Sequence, residues 1–415
     1  MPFSQSDKEM VRTLAHKVME VAALPIQNEK REMWRRLNRL DPIRPTVWIN
    51  ELPWDELQCE ELECRAEAPF ARGLEGHLRT VLYLWNHMRT DMVVDAVYYS
   101  NYVYSDTGFG VQTRAVESGG SDFGFGARDY VPRIKTDADI ERIGTPKVTA
   151  DWDTTERNYQ AACELLGDAM PVQKRGVCHM WCAPWDILVQ WWGIEELYRD
   201  MYDRPEFVHK GISRMMDALL ARLDQLEAQS LLSVSDGNHR VGSGGLGITD
   251  ELPQPDYNGT HVRPIDQWGT STGQIFSEVS PAMHWEFCLQ HEMRWLERFG
   301  LNCYGCCEPL HNKIEILRRI PRLRRISMSR WVDVANAADA IGRDFIFSYK
   351  PNPAVLARET WDTEEARRDL KNALDKTRGC VVELIMKDVS TCRHDPKRIW
   401  EWCDLAVQTA EQYAG

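Results

Sequence analysis

The segment Arg298-Phe299-Gly300-Leu301-Asn302-Cys303-Tyr304-Gly305-Cys306-Cys307-Glu308-Pro309-Leu310-His311 decides the reading of the fold. An apolar helical stretch (282–299) runs into a short strand-like run (302–306). A knot of thiols, a carboxylate and an imidazole follows at once. Reactive side chains therefore sit where a strand ends. Cysteine also packs as a small hydrophobe at such places, so the cluster has a purely structural reading beside the chemical one.

The same alternation recurs on both sides. Short apolar runs at 46–50, 92–99, 172–179, 231–234, 302–306, 325–328, 345–347 and 381–385 are expected strands. Amphipathic stretches at 206–226, 282–299, 314–319, 334–341 and 363–377 are expected helices between them. Strand followed by helix, about eight times over, predicts an α/β protein of the (β/α)8 TIM-barrel type. A doubly wound sheet is the alternative. Against it, no strand is followed by a G-x-G-x-x-G turn that opens a helix. Gly242-Ser243-Gly244-Gly245-Leu246-Gly247 comes near in composition but leads into the loop Thr249-Asp250-Glu251-Leu252-Pro253. Before the barrel, residues 6–40 read as helix interrupted at Pro25. The organisation expected is thus a helical extension over 1–44 and a barrel over 45–415.

A hydrophobic fraction of 43% and a charged fraction of 27% fit a globular protein with a sizeable core. The net charge of −13 argues against non-specific binding to nucleic acid or to an anionic membrane surface. The first residues lack a basic stretch followed by an apolar one, and no apolar run approaches a membrane span. Free thiols in a reducing cytoplasm are then the simplest account of the 12 cysteines, and the expected location is cytoplasmic. Sixteen tryptophans offer flat walls for a planar ligand, although core packing is their commoner use.

In a barrel of this kind chemistry gathers just after each strand. Those positions hold Asn50, Glu51 and Trp54; His179, Trp181 and Cys182; Asp236, Asn238, His239 and Arg240; Cys306, Cys307 and Glu308; Ser327, Ser329 and Trp331; Lys350 and Asn352; and Lys387 and Asp388. Polar residues concentrate there while the strands stay apolar.

Three of these stretches carry a family resemblance. Tyr304-Gly305-Cys306-Cys307-Glu308-Pro309-Leu310, Ile326-Ser327-Met328-Ser329 and Lys350-Pro351-Asn352-Pro353 resemble the uroporphyrinogen decarboxylase-like superfamily, and within it a bacterial branch that accompanies corrinoid-dependent methyl transfer. The resemblance runs from about Pro45 to the C terminus and implies a barrel with a deep pocket at its C-terminal face. The true decarboxylases of that superfamily carry R-Q-A-G-R near the first strand, where this chain reads Val47-Trp48-Ile49-Asn50-Glu51-Leu52-Pro53-Trp54. A glutamate in place of arginines would repel a polycarboxylate. The zinc-dependent thiol methylases carry H-x-C-G after the fifth strand and a further cysteine after the eighth. Here Tyr304 stands at the histidine position, and Lys387-Asp388-Val389-Ser390-Thr391-Cys392 follows the last strand.

What the resemblance implies is a methyltransferase that moves a methyl group from a methoxylated or methylated small molecule to a cobalamin held by a corrinoid carrier protein. The chain shows no D-x-H-x-x-G cobalamin-binding signature, so the carrier would be separate. The superfamily also pairs barrels face to face, which implies a homodimer. Zinc would have to be held by Cys306, Cys307, Glu308 and His239. Because an ether oxygen leaves poorly, either that zinc or a general acid (Glu308, Glu51 or His239) is needed at it. If the acceptor were a thiol, zinc would instead bind its sulfur. Lys350 and Asn352 would orient the donor, Trp54, Trp181 and Trp331 would wall an aromatic ring, and His179 and Asn238 would add contacts.

Each role has a plainer counterpart. Glu308 could cap the following helix, Asn238 could shape a turn, Lys350 could pair with a carboxylate, and the tryptophans could be core. Two further alternatives stand: a carboxy-lyase of the parent type, and a non-catalytic barrel that binds a small molecule.

Overall fold

The computed structural model describes residues 3–118 and 127–414. Helix α1 (Gln5–Ala22) starts where Ser4 Oγ accepts the Asp7 N–H at 3.0 Å, and it buries Val11, Leu14, Ala15 and Val18 on one face. Pro25 begins α2 (Pro25–Asn38), a position where its missing N–H is of no consequence.

The framework strands are β1 (Thr46–Ile49), β2 (Tyr98–Asn101), β3 (Val172–Arg175), β4 (Trp268–Ser271), β5 (Leu301–Tyr304), β6 (Leu323–Met328), β7 (Ile346–Tyr349) and β8 (Val381–Met386). Six form one parallel sheet in the order β1-β8-β7-β6-β5-β4, and β2 pairs with β3 in parallel. Parallel contact continues at the edges. Val177 bridges Leu232, and the Asp91 N–H donates to the Val47 carbonyl at 2.8 Å. This is an α/β fold around a parallel central sheet, compatible with a TIM-like barrel. Among the described residues no closed eight-stranded ladder is formed, and none of their helices is long and apolar enough to cross a membrane.

Three expected elements differ, and of the strand expected at 92–99 only its last two residues are in a strand, at the start of β2. At 231–234, where apolar periodicity places a strand, the structure has the single Leu232 bridge. Of the framework strands, the one that sequence reasoning lacks is β4. Trp268-Gly269-Thr270-Ser271 contains no apolar run, yet all four residues are buried, and its hydroxyls bond inward, Thr270 Oγ1 to the Met180 carbonyl at 3.1 Å. The expected helix 282–299 is also interrupted, by a π turn at Trp285–Leu289.

The glycine-rich segment after β3 does not lie on the surface. Residues 241–249 are all buried and pass into the interior against β6 and β8. There Arg325 of β6 and Glu383 of β8, both fully buried, form an ion pair with Nε to Oε1 at 3.1 Å. The Gly245 N–H donates to Glu383 Oε1 at 3.2 Å, and Arg325 Nη1 donates to the Gly245 carbonyl at 3.3 Å. Helix α2 closes the arrangement from outside. Asn38 Oδ1 accepts from Arg325 Nη2 at 2.9 Å while its Nδ2 donates to the carbonyls of Leu246 and Ile248. A Cβ at Gly245 would overlap the Trp34 indole and crowd Glu383, which explains glycine at this close approach.

Gly245→Ala is therefore expected to lower stability by about 1–3 kcal/mol, the usual cost of overpacking a filled interior. Thermal denaturation should show a depressed Tm. An unchanged Tm would contradict the packing described.

Candidate functional site

The loop after β5 turns sharply because Gly305 has φ of +94°, a conformation open to glycine, and a Cβ there would strike Leu310. The turn delivers Cys306, Cys307 and Glu308 to the C-terminal end of the sheet. Glu308 is fully buried and wholly engaged. Its Oε1 accepts from Thr272 Oγ1 at 2.6 Å and from the Gly273 N–H at 3.1 Å, and its Oε2 accepts from the Cys306 N–H at 2.8 Å. This carboxylate ties the loop after β5 to the loop after β4. It presents no free oxygen to a substrate or a metal.

Cys306 and Cys307 face a cavity of about 240 Å³ whose other walls are Ser329, Arg330, Trp331, Lys350, Pro351, Pro353, Lys387 and Asp388. The two sulfurs are 3.5 Å apart, and Lys387 Nζ lies 3.5 Å from Cys306 Sγ and 3.9 Å from Cys307 Sγ. The hydrogen bond from Cys307 draws the Cys306 thiol down to about 7 against the opposing effect of burial, and the Lys387 ammonium adds to the pull. Burial by itself would lower Lys387, but the sulfurs, Glu51 and Asp388 outweigh it and push its ammonium up. Glu51 sits at the rim with Oε1 2.6 Å from Arg240 Nη1 and Oε2 3.6 Å from Lys387 Nζ. Burial would raise it, yet Arg240, Asp388 and Lys387 hold it down at about 2, so it stays ionised.

Lys350 behaves in the opposite way. It is buried at the end of β7, and its Nζ donates to the Ser348 carbonyl at 2.9 Å and to Ser348 Oγ at 2.7 Å. Burial lowers it to about 8, with Glu383 partly opposing. Its ammonium thus gives up a proton close to neutral pH.

Of the side chains given a role by sequence, Cys306, Cys307, Trp331 and Lys350 share this cavity with Ser329, Lys387 and Asp388, which also follow strands, and Glu51 reaches it through Lys387. The other side chains given a role lie elsewhere. The His239 ring accepts or donates at Ser235 Oγ, 2.6 Å away, and burial with the neighbouring His179 and Arg175 lowers it to about 3. His179 Nε2 accepts the Gly242 N–H at 3.1 Å, and burial and Arg240 lower it to about 4. Asn238 donates to the Val93 carbonyl at 2.8 Å and lines a separate cavity with Arg175 and His77. Asn352 Oδ1 is taken by the Ala354 N–H and the Arg330 guanidinium. Trp54 and Trp181 are exposed but do not line the cavity, and Trp54 packs beside Tyr83.

The four expected zinc ligands consequently do not converge. Among the described residues no group of three or more His, Cys, Asp or Glu side chains could hold a metal ion. Glu308 spends both oxygens on the loop, His239 is bonded to Ser235, and the positive charge beside the two sulfurs is the Lys387 ammonium. Neither Glu51, held ionised, nor His239, held neutral, has a proton to give near neutral pH. Sequence reasoning listed Lys387 among the residues that follow strands but assigned it no role. Its signal was its place directly after β8.

Two outcomes follow from this geometry. Alkylation of Cys306 by iodoacetamide should accelerate as pH rises through about 7, since the thiolate is the reactive form. In Lys387→Met the inflection should move upward, and peptide mass spectrometry across pH reads both. Glu308→Ala leaves two buried N–H groups and a hydroxyl without their acceptor and should cost about 3 kcal/mol in chemical denaturation.

No family model matches the chain, and no curated protein matches it. Among solved structures, a methyltransferase from Methanosarcina mazei is similar over 65% of this chain and 73% of its own, with 10% identity and a TM-score of 0.36. A likeness at that level carries no argument about function.

Proposed function

We propose that this chain is a methyltransferase that removes a methyl group from a methoxylated or methylated small molecule and passes it to a cobalamin carried by a partner protein. The observation that supports this reading best is Lys350, a buried ammonium lowered to about 8 on the wall of the cavity that also holds Trp331. An alkoxide or amide is a poor leaving group, and a donor with a pKa near the working pH is the efficient way to protonate it.

The corrinoid, when bound, supplies the nucleophile that takes the methyl carbon. The remaining requirements fall on the chain. Trp331, Pro351 and Pro353 offer flat apolar walls to the donor. Lys350 hands its proton to the departing heteroatom as the bond to the methyl carbon breaks, and it regains a proton from water afterwards. Ser348 holds that ammonium through two hydrogen bonds. Lys387, Glu51 and Asp388 form a charged rim around Cys306 that fixes the loop without donating a proton.

The carboxy-lyase alternative fits less well. Glu51, ionised at the rim, would repel the carboxylates of a polyacidic substrate. A non-catalytic binder would share the cavity but show no turnover.

The test is product release from a panel of methoxylated and N-methylated compounds, with chemically reduced free cobalamin as the acceptor. Demethylated product is expected, with a rate that falls as pH rises through about 8, because the protonated form of Lys350 is the active one. Lys350→Met should lower kcat by ~10²–10⁴-fold. Lys350→Arg should be equally impaired, since a guanidinium keeps the charge but does not release a proton. Donor binding without product from any compound would favour the binder. Activity in Lys350→Arg equal to that of the native chain would remove the assigned acid.

A further inference from the structure

The methyl-transfer scheme leaves two sulfurs without a task. Cys306 and Cys307 are neighbours in sequence, their Sγ atoms are 3.5 Å apart, and both face the same cavity. Cys306 is buried and Cys307 is exposed, so one thiol sits inside and the other at the opening. The Lys387 ammonium touches both, at 3.5 and 3.9 Å, and it is itself fixed by Glu51 at 3.6 Å and Asp388 at 3.1 Å. All twelve cysteines of the chain are free thiols.

Two thiols this close need to approach by only about 1.5 Å to reach a disulfide bond length. The bond so formed would be of an unusual kind. Adjacent α-carbons are about 3.8 Å apart across a trans peptide, short of the roughly 4.4–6.8 Å that disulfides prefer. A bridge between neighbours is therefore strained and easily reduced, and strained, accessible bridges are the labile ones rather than the structural ones. The cavity gives a small oxidant access, and the ammonium favours negative charge on sulfur.

We propose that Cys306 and Cys307 are a reversible oxidation site that takes a hydroperoxide as its oxidant. The Cys306 sulfur attacks one peroxide oxygen, the O–O bond breaks, and the departing hydroxide takes a proton to become water, leaving a sulfenic acid on Cys306. The Cys307 sulfur, losing its proton, attacks the Cys306 sulfur. The S–O bond breaks, hydroxide leaves with that proton as a second water, and the S–S bond forms. Two electrons pass from the two sulfurs to the peroxide, and a dithiol reductant restores both thiols by exchange. Oxidation removes the negative sulfur beside Lys387 and ties the loop after β5 in a tight ring, which alters the cavity that Trp331 and Lys350 also line.

The experiment needs no turnover, so its outcome is separate from that of the methyl-transfer reading. The purified full-length chain is treated with one equivalent of hydrogen peroxide, alkylated with iodoacetamide and digested for mass spectrometry. The peptide holding both residues should be lighter by two hydrogens and carry no alkyl group, and dithiothreitol before alkylation should restore two alkylated sulfurs. In Cys307→Ser, given a second equivalent of peroxide because the next oxidation step consumes another, Cys306 should advance to the sulfinic acid, which dithiothreitol does not reverse. Lys387→Met should slow oxidation about tenfold. Recovery of unaltered thiols, or of sulfinic acid on Cys306 in the native chain, would overturn the proposal. So would one tightly held zinc per chain that shields both sulfurs.

Discussion

The ion pair between Arg325 and Glu383 is the constraint on which the interior depends. Two charges with no solvent exposure are costly to desolvate, and the surroundings offset that cost by supplying partners to Glu383 Oε1 and to both terminal guanidinium nitrogens of Arg325, while Glu383 Oε2 has no hydrogen-bond partner. Those partners come from distant parts of the chain: the Gly245 backbone from the glycine loop, Asn38 from α2, and the Trp268 ring of β4, whose centroid is 5.3 Å from the guanidinium carbon. Satisfying one pair of charges thus recruits a helix, a loop and three strands. It also explains why the glycine loop lies inside the sheet instead of on its surface. At the start of that loop Arg240 reaches Glu51, so the charge pair in the interior bears on the position of a group at the mouth.

Two lysines at the mouth show how environment divides one residue type into two functions. Lys387 is surrounded by Glu51, Asp388 and two sulfurs, which hold its proton firmly. Lys350 is buried with Ser348 as its hydrogen-bond partner, and desolvation outweighs the nearby Glu383 to bring it down to about 8. Neighbouring anions decide the first, and desolvation decides the second. Neither difference is visible in the identity of the residue. Each is a property of what the adjoining strands place beside it.

This bears on how much could be read from the chain alone. The rule that polar residues follow apolar strands led to Cys306, Cys307, Trp331 and Lys350, because a parallel sheet lines up strand ends whatever the details of each strand. It led equally to His239, Asn238 and Asn352, since the rule cannot distinguish a side chain aimed into the cavity from one bonded to Ser235, Val93 or Arg330. Strand β4 escaped because burial on both faces was achieved with glycine, threonine and serine, whose hydroxyls find backbone acceptors. Glu308 looked like chemistry and is architecture: three donors from two loops are near it only after folding. The resemblance pointed to a metal through Gly305 and Cys306 alone, while Lys387, whose charge lies beside Cys306, is more than eighty residues away in sequence and in contact only in space.

Lys387 beside Cys306 also sets what kind of positive charge the site has. A metal ion is recruited from outside, can be removed by a competing chelator, and offers an empty orbital to a lone pair. An ammonium is inherited with the polypeptide, cannot be exchanged, and offers only N–H bonds. The charge that Lys387 brings beside Cys306 therefore does not depend on any ion in its surroundings. The two sulfurs beside it face the cavity, within reach of whatever small molecule enters there.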